Sequence, residues 1–233
     1  MLAPQGPPSA VVFDFYGTLT PSTPSEVWEE HAARSADLLG IDPDAWRAAL
    51  DRSFPDRAAG RLGDLPATFR ILALRLGVVP PEEDLLAACA ARQAAQRELF
   101  VLRPDAAATL AELRRRGLRV GVLSDCTVEL AESWPELPLA GMVDARVLSC
   151  EEGRRKPDPE LFRLIAERLG AKPEECLYLG DGGGQELTGA SSAGMRAYML
   201  KAADWAENNA HSREDDWAGP TLGSLGEVLS LLD

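Results

Sequence analysis

Val11-Val12-Phe13-Asp14-Phe15-Tyr16-Gly17-Thr18-Leu19 runs from three apolar, β-favouring residues into a carboxylate, a glycine and a hydroxyl. Val11 to Phe13 reads as a strand buried on both faces, as in a parallel sheet, with the turn residue Gly17 close behind. In an open α/β sheet, ligands gather outside the carboxyl ends of the strands. At such an end Asp14 either opens a turn or serves as a nucleophile or metal ligand. Gly17 and Thr18 offer backbone N–H groups and a hydroxyl to an anion.

Beyond this strand the pattern changes period. Pro21 and Pro24 interrupt the chain, and Ser25 is the expected N-cap of a helix with Val27, His31, Leu38 and Leu39 on its apolar positions, ended by Gly40. Further helices are expected over Pro43 to Phe54, Leu65 to Leu76 and Glu82 to Phe100. About eighty residues with helical signals only, set between one strand and the next βα unit, predict a helical insertion able to act as a lid. Alternation then resumes. A helix from Pro104-Asp105 to Arg116 leads to a strand over Leu118 to Leu123, then a weaker helix or loop over Leu130 to Leu139 and a short strand over Met142 to Leu148. The polar stretch Glu151 to Pro159 reads as a loop, followed by a helix to Leu169 and a strand over Cys176 to Leu179. A helix through Ser192, a strand over Ala197 to Leu200, a polar stretch from Lys201 to Asp216 and a helix over Leu222 to Leu232 complete the chain.

Composition narrows the function. The 233 residues, 45% hydrophobic, suffice for one domain with an insertion or two small domains. A net charge of −13 argues against a nonspecific nucleic-acid surface and against an anionic membrane surface. The run Arg114-Arg115-Arg116 closes a helix and suits its C-terminus. Cys89, Cys126, Cys150 and Cys176 are scattered, and His31 and His211 are the only imidazoles, so neither a structural zinc site nor a disulfide scaffold is indicated. Met1 to Pro8 lacks the basic start and apolar core of a signal peptide, and a cytoplasmic protein is the expectation.

Asp14, Ser124, Lys156 and Asp181 each fall at a strand end or in the loop after a strand, in separate βα units. A parallel sheet gathers such positions on one edge. Two carboxylates, a hydroxyl and an ammonium there suit a dianionic group and a divalent cation such as Mg²⁺, with Asp14 and Asp181 as oxygen ligands.

The sequence resembles the haloacid dehalogenase superfamily, whose four motifs occur here in order. Asp14 to Leu19 looks like the first, Leu123-Ser124-Asp125 the second, Lys156-Pro157-Asp158-Pro159 the third, and Gly180-Asp181 with Glu186 and Gly189-Ala190 the fourth. The resemblance implies a Rossmann-like α/β core formed by residues 1–20 and 101–233, with an all-helical cap over 21–100. It implies Mg²⁺-dependent hydrolysis of a small phosphorylated metabolite, with Asp14 as nucleophile through an aspartyl-phosphate. Ser124 would bind phosphoryl oxygens beside Asp125, Lys156 would neutralise charge, and Gly17 and Thr18 would contact the substrate. The ion would be held by the Asp14 carboxylate, the Tyr16 carbonyl and Asp181, with Glu186 reaching a coordinated water.

Two departures are informative. Phosphatases of the superfamily carry a general-acid aspartate two residues after the nucleophile, where this chain has Tyr16. General acid–base help contributes about 10²- to 10⁴-fold, so its loss weighs on poor leaving groups. Dehalogenases of 2-haloacids commonly carry Tyr there, but their fourth motif differs from the metal-binding form that Gly180-Asp181 resembles. Glu186 is one methylene longer than the usual aspartate. A low-turnover binding or regulatory module on the same fold is a third reading. In the lid, Arg34, Arg57, Arg61 and Arg70 are candidates for an anionic substrate, although a solvated helix face suits each better. Trp28 and Trp46 suit the lid's core, and Cys126 suits a small buried residue.

Overall fold

The computed structural model describes residues 6–205 and 213–232. The readings of the extreme N-terminus and of His211 lie outside the described residues. Six strands, β1 (Ala10–Phe13), β2 (Arg119–Ser124), β3 (Ala145–Leu148), β4 (Cys176–Gly180), β5 (Arg196–Leu200) and β6 (Thr221–Leu222), form one parallel sheet in the order β3-β2-β1-β4-β5-β6. The centre is β1, buried on both faces. Val11 and Phe13 pack with Val122 and Leu179, while Ala10 and Val12 pack on the opposite face with Phe162 and Tyr178. Each large apolar side chain so buried contributes about 1.5–3 kcal/mol, which anchors the loop after β1 at the middle of the sheet edge. Because β2 and β4 flank β1, the loops after all three strands converge where the strand order reverses.

Of the five α-helices between β1 and β2, the first four form a group of their own: α1 (Ser25–Leu39), α2 (Pro43–Arg57), α3 (Leu65–Arg75) and α4 (Glu82–Glu98). They enclose their own apolar cluster around Trp46, Leu50, Phe69, Leu72 and Leu85. Asp42 and Asp64 cap α2 and α3 by accepting from Ala45 N at 2.9 Å and Ala67 N at 2.8 Å. Ser25 is not the cap of α1. Pro24, at φ −60° and ψ 154°, already turns the chain into the helix, and Ser25 is its first residue. Leu38 is exposed, off the face that buries His31 and Leu39.

The remaining helices are α5 (Ala106–Arg115), α6 (Val128–Ser133), α7 (Ser149–Glu152), α8 (Pro159–Arg168) and α9 (Glu186–Ser192). Arg115 and Arg116 pair with Glu112, as suits a solvated helix end. The sequence misplaces three short elements. Met142 belongs to the turn that follows α6, so β3 starts at Ala145, and α7 begins before the polar loop. Leu222 ends a sixth strand, Leu222 to Leu232 being no α-helix; only Leu225–Leu231 coils, as a 3₁₀-helix. All four cysteines are free, and Cys126 is buried with its sulfur 3.9 Å from that of Cys150. Among the described residues, no helix is long and apolar enough to cross a membrane.

Candidate active site

Past the end of β1 the backbone makes a wide helical turn over Phe15–Leu19, with Gly17 at φ +73°. Only glycine fits there. A Cβ on Gly17 would stand 2.2 Å from Asp181 Oδ2, besides the cost of a left-handed conformation. The turn is held from outside. Arg103 donates to the carbonyls of Thr18 and Gly17, both at 2.9 Å, and pairs with Asp204 at 2.8 Å; Asp204 also accepts from Ser22 N at 2.8 Å.

Asp14 N donates to Leu179 O at 2.8 Å, which locks Asp14 beside β4. Lys156 Nζ donates to Asp14 Oδ1 at 2.6 Å and to Glu186 Oε2, and lies 3.3 Å from the Tyr178 hydroxyl. Both oxygens of Glu186 are engaged, because Oε2 also accepts from Tyr178 at 2.6 Å and Oε1 from Gly182 N at 3.0 Å. Asp181 Oδ1 accepts from Gly183 N at 2.9 Å. Ligand-type oxygens of Asp14, Asp181 and Glu186 lie within 4.8 Å of one another, and all three residues are buried. A cation site was expected from Asp14 and Asp181, and the oxygen-only donor set fits a hard divalent ion.

Burial raises Asp14 to about 7 against the lowering effect of Lys156, and Glu186 adds to the rise. Asp181 is raised well above the usual carboxylate range, first by burial and then by Glu186 and Asp14. Burial alone would lower Lys156, but Asp14 and Glu186 outweigh it and hold the ammonium well above its ordinary value. Three carboxylates against one ammonium leave negative charge uncompensated, and that excess adds to the effect of burial on both aspartates.

A cavity of about 300 Å³ opens over this cluster, between the sheet edge and the helices. Asp14, Tyr16, Gly17, Asp125, Lys156 and Asp181 form its floor. Ser124, Thr18 and Glu186 are fully buried and do not line it, and the hydroxyls of Ser124 and Thr18 have no hydrogen-bond partner. Asp125 accepts from Lys156 N at 2.9 Å and from Arg155 Nε at 3.2 Å, so its carboxylate holds the loop that carries the lysine. The Tyr16 ring packs edge-on to Phe15 at 4.9 Å and against Trp28 at 6.5 Å. Burial, then Cys126 and Glu129, push its phenol well above the ordinary value of 10, so it stays neutral.

On the helical side the structure bears out the solvated faces of Arg34, Arg61 and Arg70 and the core place of Trp46, and corrects the readings of Arg57 and Trp28. Of the four candidate arginines only Arg57 lines the cavity; Arg34 pairs with Glu30 and Glu98, Arg61 with Asp56, and Arg70 with Glu82. Trp28 lines the cavity, whereas Trp46 lies in the helical core. Arg47, Arg92 and Gln96 also line it and went unread, as did Arg103, Asp204, Tyr178 and Glu214 around the floor. Glu214 accepts from Leu187 N at 2.7 Å and Thr188 N at 3.0 Å, pinning the start of α9. Helical periodicity identifies faces but not which face meets another domain. The helices are tied to the core by the buried pair Arg92–Glu129 at 2.9 Å, by Gln93 donating to Ser133 Oγ at 2.9 Å, and by Arg155 lying 4.7 Å over the Phe54 ring.

The family model described as haloacid dehalogenase-like hydrolase matches residues 8–194. A glyceraldehyde 3-phosphate phosphatase of Methanopyrus kandleri is 30% identical over 208 residues, covering 88% of this chain and 89% of its own. A ribulose-1,5-bisphosphate 5-phosphatase of Halopiger xanaduensis is 30% identical over 240 residues, 95% of this chain and 99% of its own. The solved structure of a 2-haloacid dehalogenase from Pseudomonas syringae pv. Tomato DC3000 superposes with a TM-score of 0.69 at 22% identity, covering 97% of this chain and 98% of that one. That last likeness is one of fold.

Proposed function

The chain belongs to the haloacid dehalogenase-like hydrolases, and we propose that it is an Mg²⁺-dependent phosphomonoester hydrolase of a small phosphorylated metabolite, with Asp14 as nucleophile. The observation that carries this reading is the buried trio Asp14, Asp181 and Glu186 around one ammonium, Lys156. Without a further cation the trio is electrostatically incomplete, and a phosphate dianion would deepen the imbalance. The relatives named as phosphatases support the same chemistry. Residues 1–20 and 101–233 serve as the catalytic core and residues 21–100 as the cap over it.

Asp14 and Asp181, with the Tyr16 carbonyl, hold the ion, and Glu186 adds its charge while orienting Lys156. When bound, Mg²⁺ supplies charge neutralisation that favours the ionised aspartates and the phosphoryl group. The Asp14 carboxylate attacks phosphorus, an acyl-phosphate forms on Asp14, and the bond to the leaving oxygen breaks. Gly17 lines the loop that receives the phosphoryl oxygens and Lys156 offsets their charge, while the buried, unpartnered hydroxyls of Ser124 and Thr18 reach those oxygens only once a small shift opens them to the cavity. Asp125 keeps Lys156 in place from the substrate side. Water then attacks the acyl-phosphate, which returns the Asp14 carboxylate and releases phosphate.

Tyr16 alone favours a second reading, hydrolysis of a short 2-haloacid, because halide leaves without a proton. Both are tested together. With millimolar Mg²⁺ the enzyme releases phosphate from acetyl phosphate or p-nitrophenyl phosphate, and Asp14→Asn abolishes the release. Phosphate release that survives Asp14→Asn overturns the assignment, and metal-independent chloride release from 2-chloropropionate transfers it to the second reading.

A further inference from the structure

The cap end of the cavity is short of negative charge. Arg57, at the end of α2, is 8% exposed and lines the cavity, yet no carboxylate of the described residues lies within ion-pair distance of it. Its Nε donates to Ser53 Oγ at 3.1 Å and its Nη2 to Leu50 O at 3.0 Å, so its bonds are to neutral groups. The carboxylates nearby are committed elsewhere: Glu129 pairs with Arg92 at 2.9 Å and Asp51 with Arg47 at 2.8 Å. One buried carboxylate thus stands between two buried guanidiniums. Burial pulls Arg57 down to about 10, with Glu129 opposing the change and Arg92 adding to it.

Beside it is unused donor capacity. Gln96, one turn after Arg92 on α4, is 2% exposed, lines the cavity, and its Nε2 has no partner. Arg47 Nη1 and Ser22 Oγ, also at the cavity wall, are likewise buried without partners. Leaving such groups unmade is costly, and an uncompensated buried cation more so. What satisfies several donors and one positive charge at once is an acceptor-rich anion. Trp28, Leu50 and Phe54 line the space with apolar surface that suits a short carbon chain.

We propose that Arg57 and Gln96, with Arg92 behind them, form a second anion subsite, and that the substrate is a short phosphomonoester whose far end carries another anionic group, a carboxylate or a second phosphate. The inference rests on the phosphatase reading for the end that meets Asp14. A cavity of about 300 Å³ is at the small end of ligand sites and limits the chain between the two groups to a few carbons.

The test is binding, measured by calorimetry on the Asp14→Asn protein with Mg²⁺ present. Three probes share a three-carbon chain: propyl phosphate, 3-(phosphonooxy)propanoate and propane-1,3-diyl bisphosphate. At least one doubly anionic probe binds about 10- to 100-fold more tightly than propyl phosphate, as expected of a buried charge-assisted contact. Which of the two wins identifies the second group. Arg57→Gln on the same background removes the preference, Arg57→Lys keeps part of it, and Gln96→Met reduces it by a smaller factor. Equal affinity for all three probes overturns the proposal, as does a preference that survives Arg57→Gln in a protein with unchanged circular dichroism. Should Arg57→Gln fail to fold, the ratio in the parent protein and in Gln96→Met decides. Failure of the phosphatase reading is a separate result: no phosphate release from acetyl phosphate or p-nitrophenyl phosphate by the unsubstituted enzyme.

Discussion

Lys156 Nζ donates to Asp14 Oδ1 over 2.6 Å, although 142 positions separate the two residues in sequence. The same ammonium contacts Glu186, so one cation holds two buried carboxylates in place. Removing one partner of a buried pair typically costs about 3–5 kcal/mol, because the other charge is left uncompensated. Lys156→Met is therefore expected to lose stability of that order in urea unfolding and at least about 10² in kcat for an aryl phosphate. A loss below about 1 kcal/mol with kcat unchanged would show the lysine to be a bystander.

The raised pKa of Asp14 makes a prediction about pH. Its folded value of about 7 lies above the ordinary 3.8. A carboxyl raised by folding adds stability that is fully present below about 4 and lost as pH rises through about 7. Asp181, shifted in the same direction, adds to the trend. Metal-free protein is expected to melt at a lower temperature at pH 7.5 than at pH 5. A divalent ion competes with those protons, so the gain in melting temperature from Mg²⁺ should be larger at pH 7.5 than at pH 5. Equal gains at the two values, measured by thermal scans with and without Mg²⁺, would remove Asp14 and Asp181 as the ligands.

The sheet was legible because each strand is a short apolar run followed by turn chemistry, and because four chemistry-bearing residues fall at the ends of such runs. A two-residue strand such as Thr221–Leu222 carries no period and could not be read. The floor of the site was legible for the same reason as the sheet, since strand ends of a parallel sheet share an edge. Its supports were not. Arg103 meets Gly17 from 86 positions away and Asp204 from 101, and nothing local to Arg103 marks it. Among the helices inserted after β1, Arg34 sits on α1 and Arg57 at the end of α2. One pairs with exposed glutamates and the other faces the cavity, a difference set by docking rather than by period.

Arg103 gives the next prediction. Its guanidinium holds the carbonyls of Gly17 and Thr18, and through Asp204 it reaches the Ser22 amide, so it fixes the turn that brings Asp14 toward Asp181. Charge-assisted bonds of this kind contribute about 1.5–3 kcal/mol. Arg103→Gln should destabilise the fold by about that amount and lower kcat more than it changes KM, because the side chain orders the turn and does not line the cavity. Residues sharing one network are not additive. Arg103→Gln combined with Asp204→Asn should therefore cost less than the two single losses together. Additivity in urea unfolding would dissolve the clamp into independent contacts.

Tyr16 lines the cavity two residues after Asp14, and its half-buried phenol holds its proton more tightly than water-exposed tyrosine does. A leaving group that needs no proton should be indifferent to this, whereas an alkoxide should not. Aryl and acyl phosphates are expected to turn over much faster than alkyl phosphates, and Tyr16→Asp should narrow the gap by raising kcat for an alkyl phosphate about 10²- to 10⁴-fold. The substitution also empties space beside Phe15, Phe100 and Trp28, so a stability loss of about 2–4 kcal/mol accompanies it and requires assay below the melting range. Steady-state rates with propyl phosphate and p-nitrophenyl phosphate, for both proteins, separate the two effects. Stability lost by unfolding lowers both rates alike, while a restored acid raises the alkyl rate alone. Equal aryl and alkyl rates in the unsubstituted enzyme would mean that another group protonates the leaving oxygen and that Tyr16 does not limit the reaction.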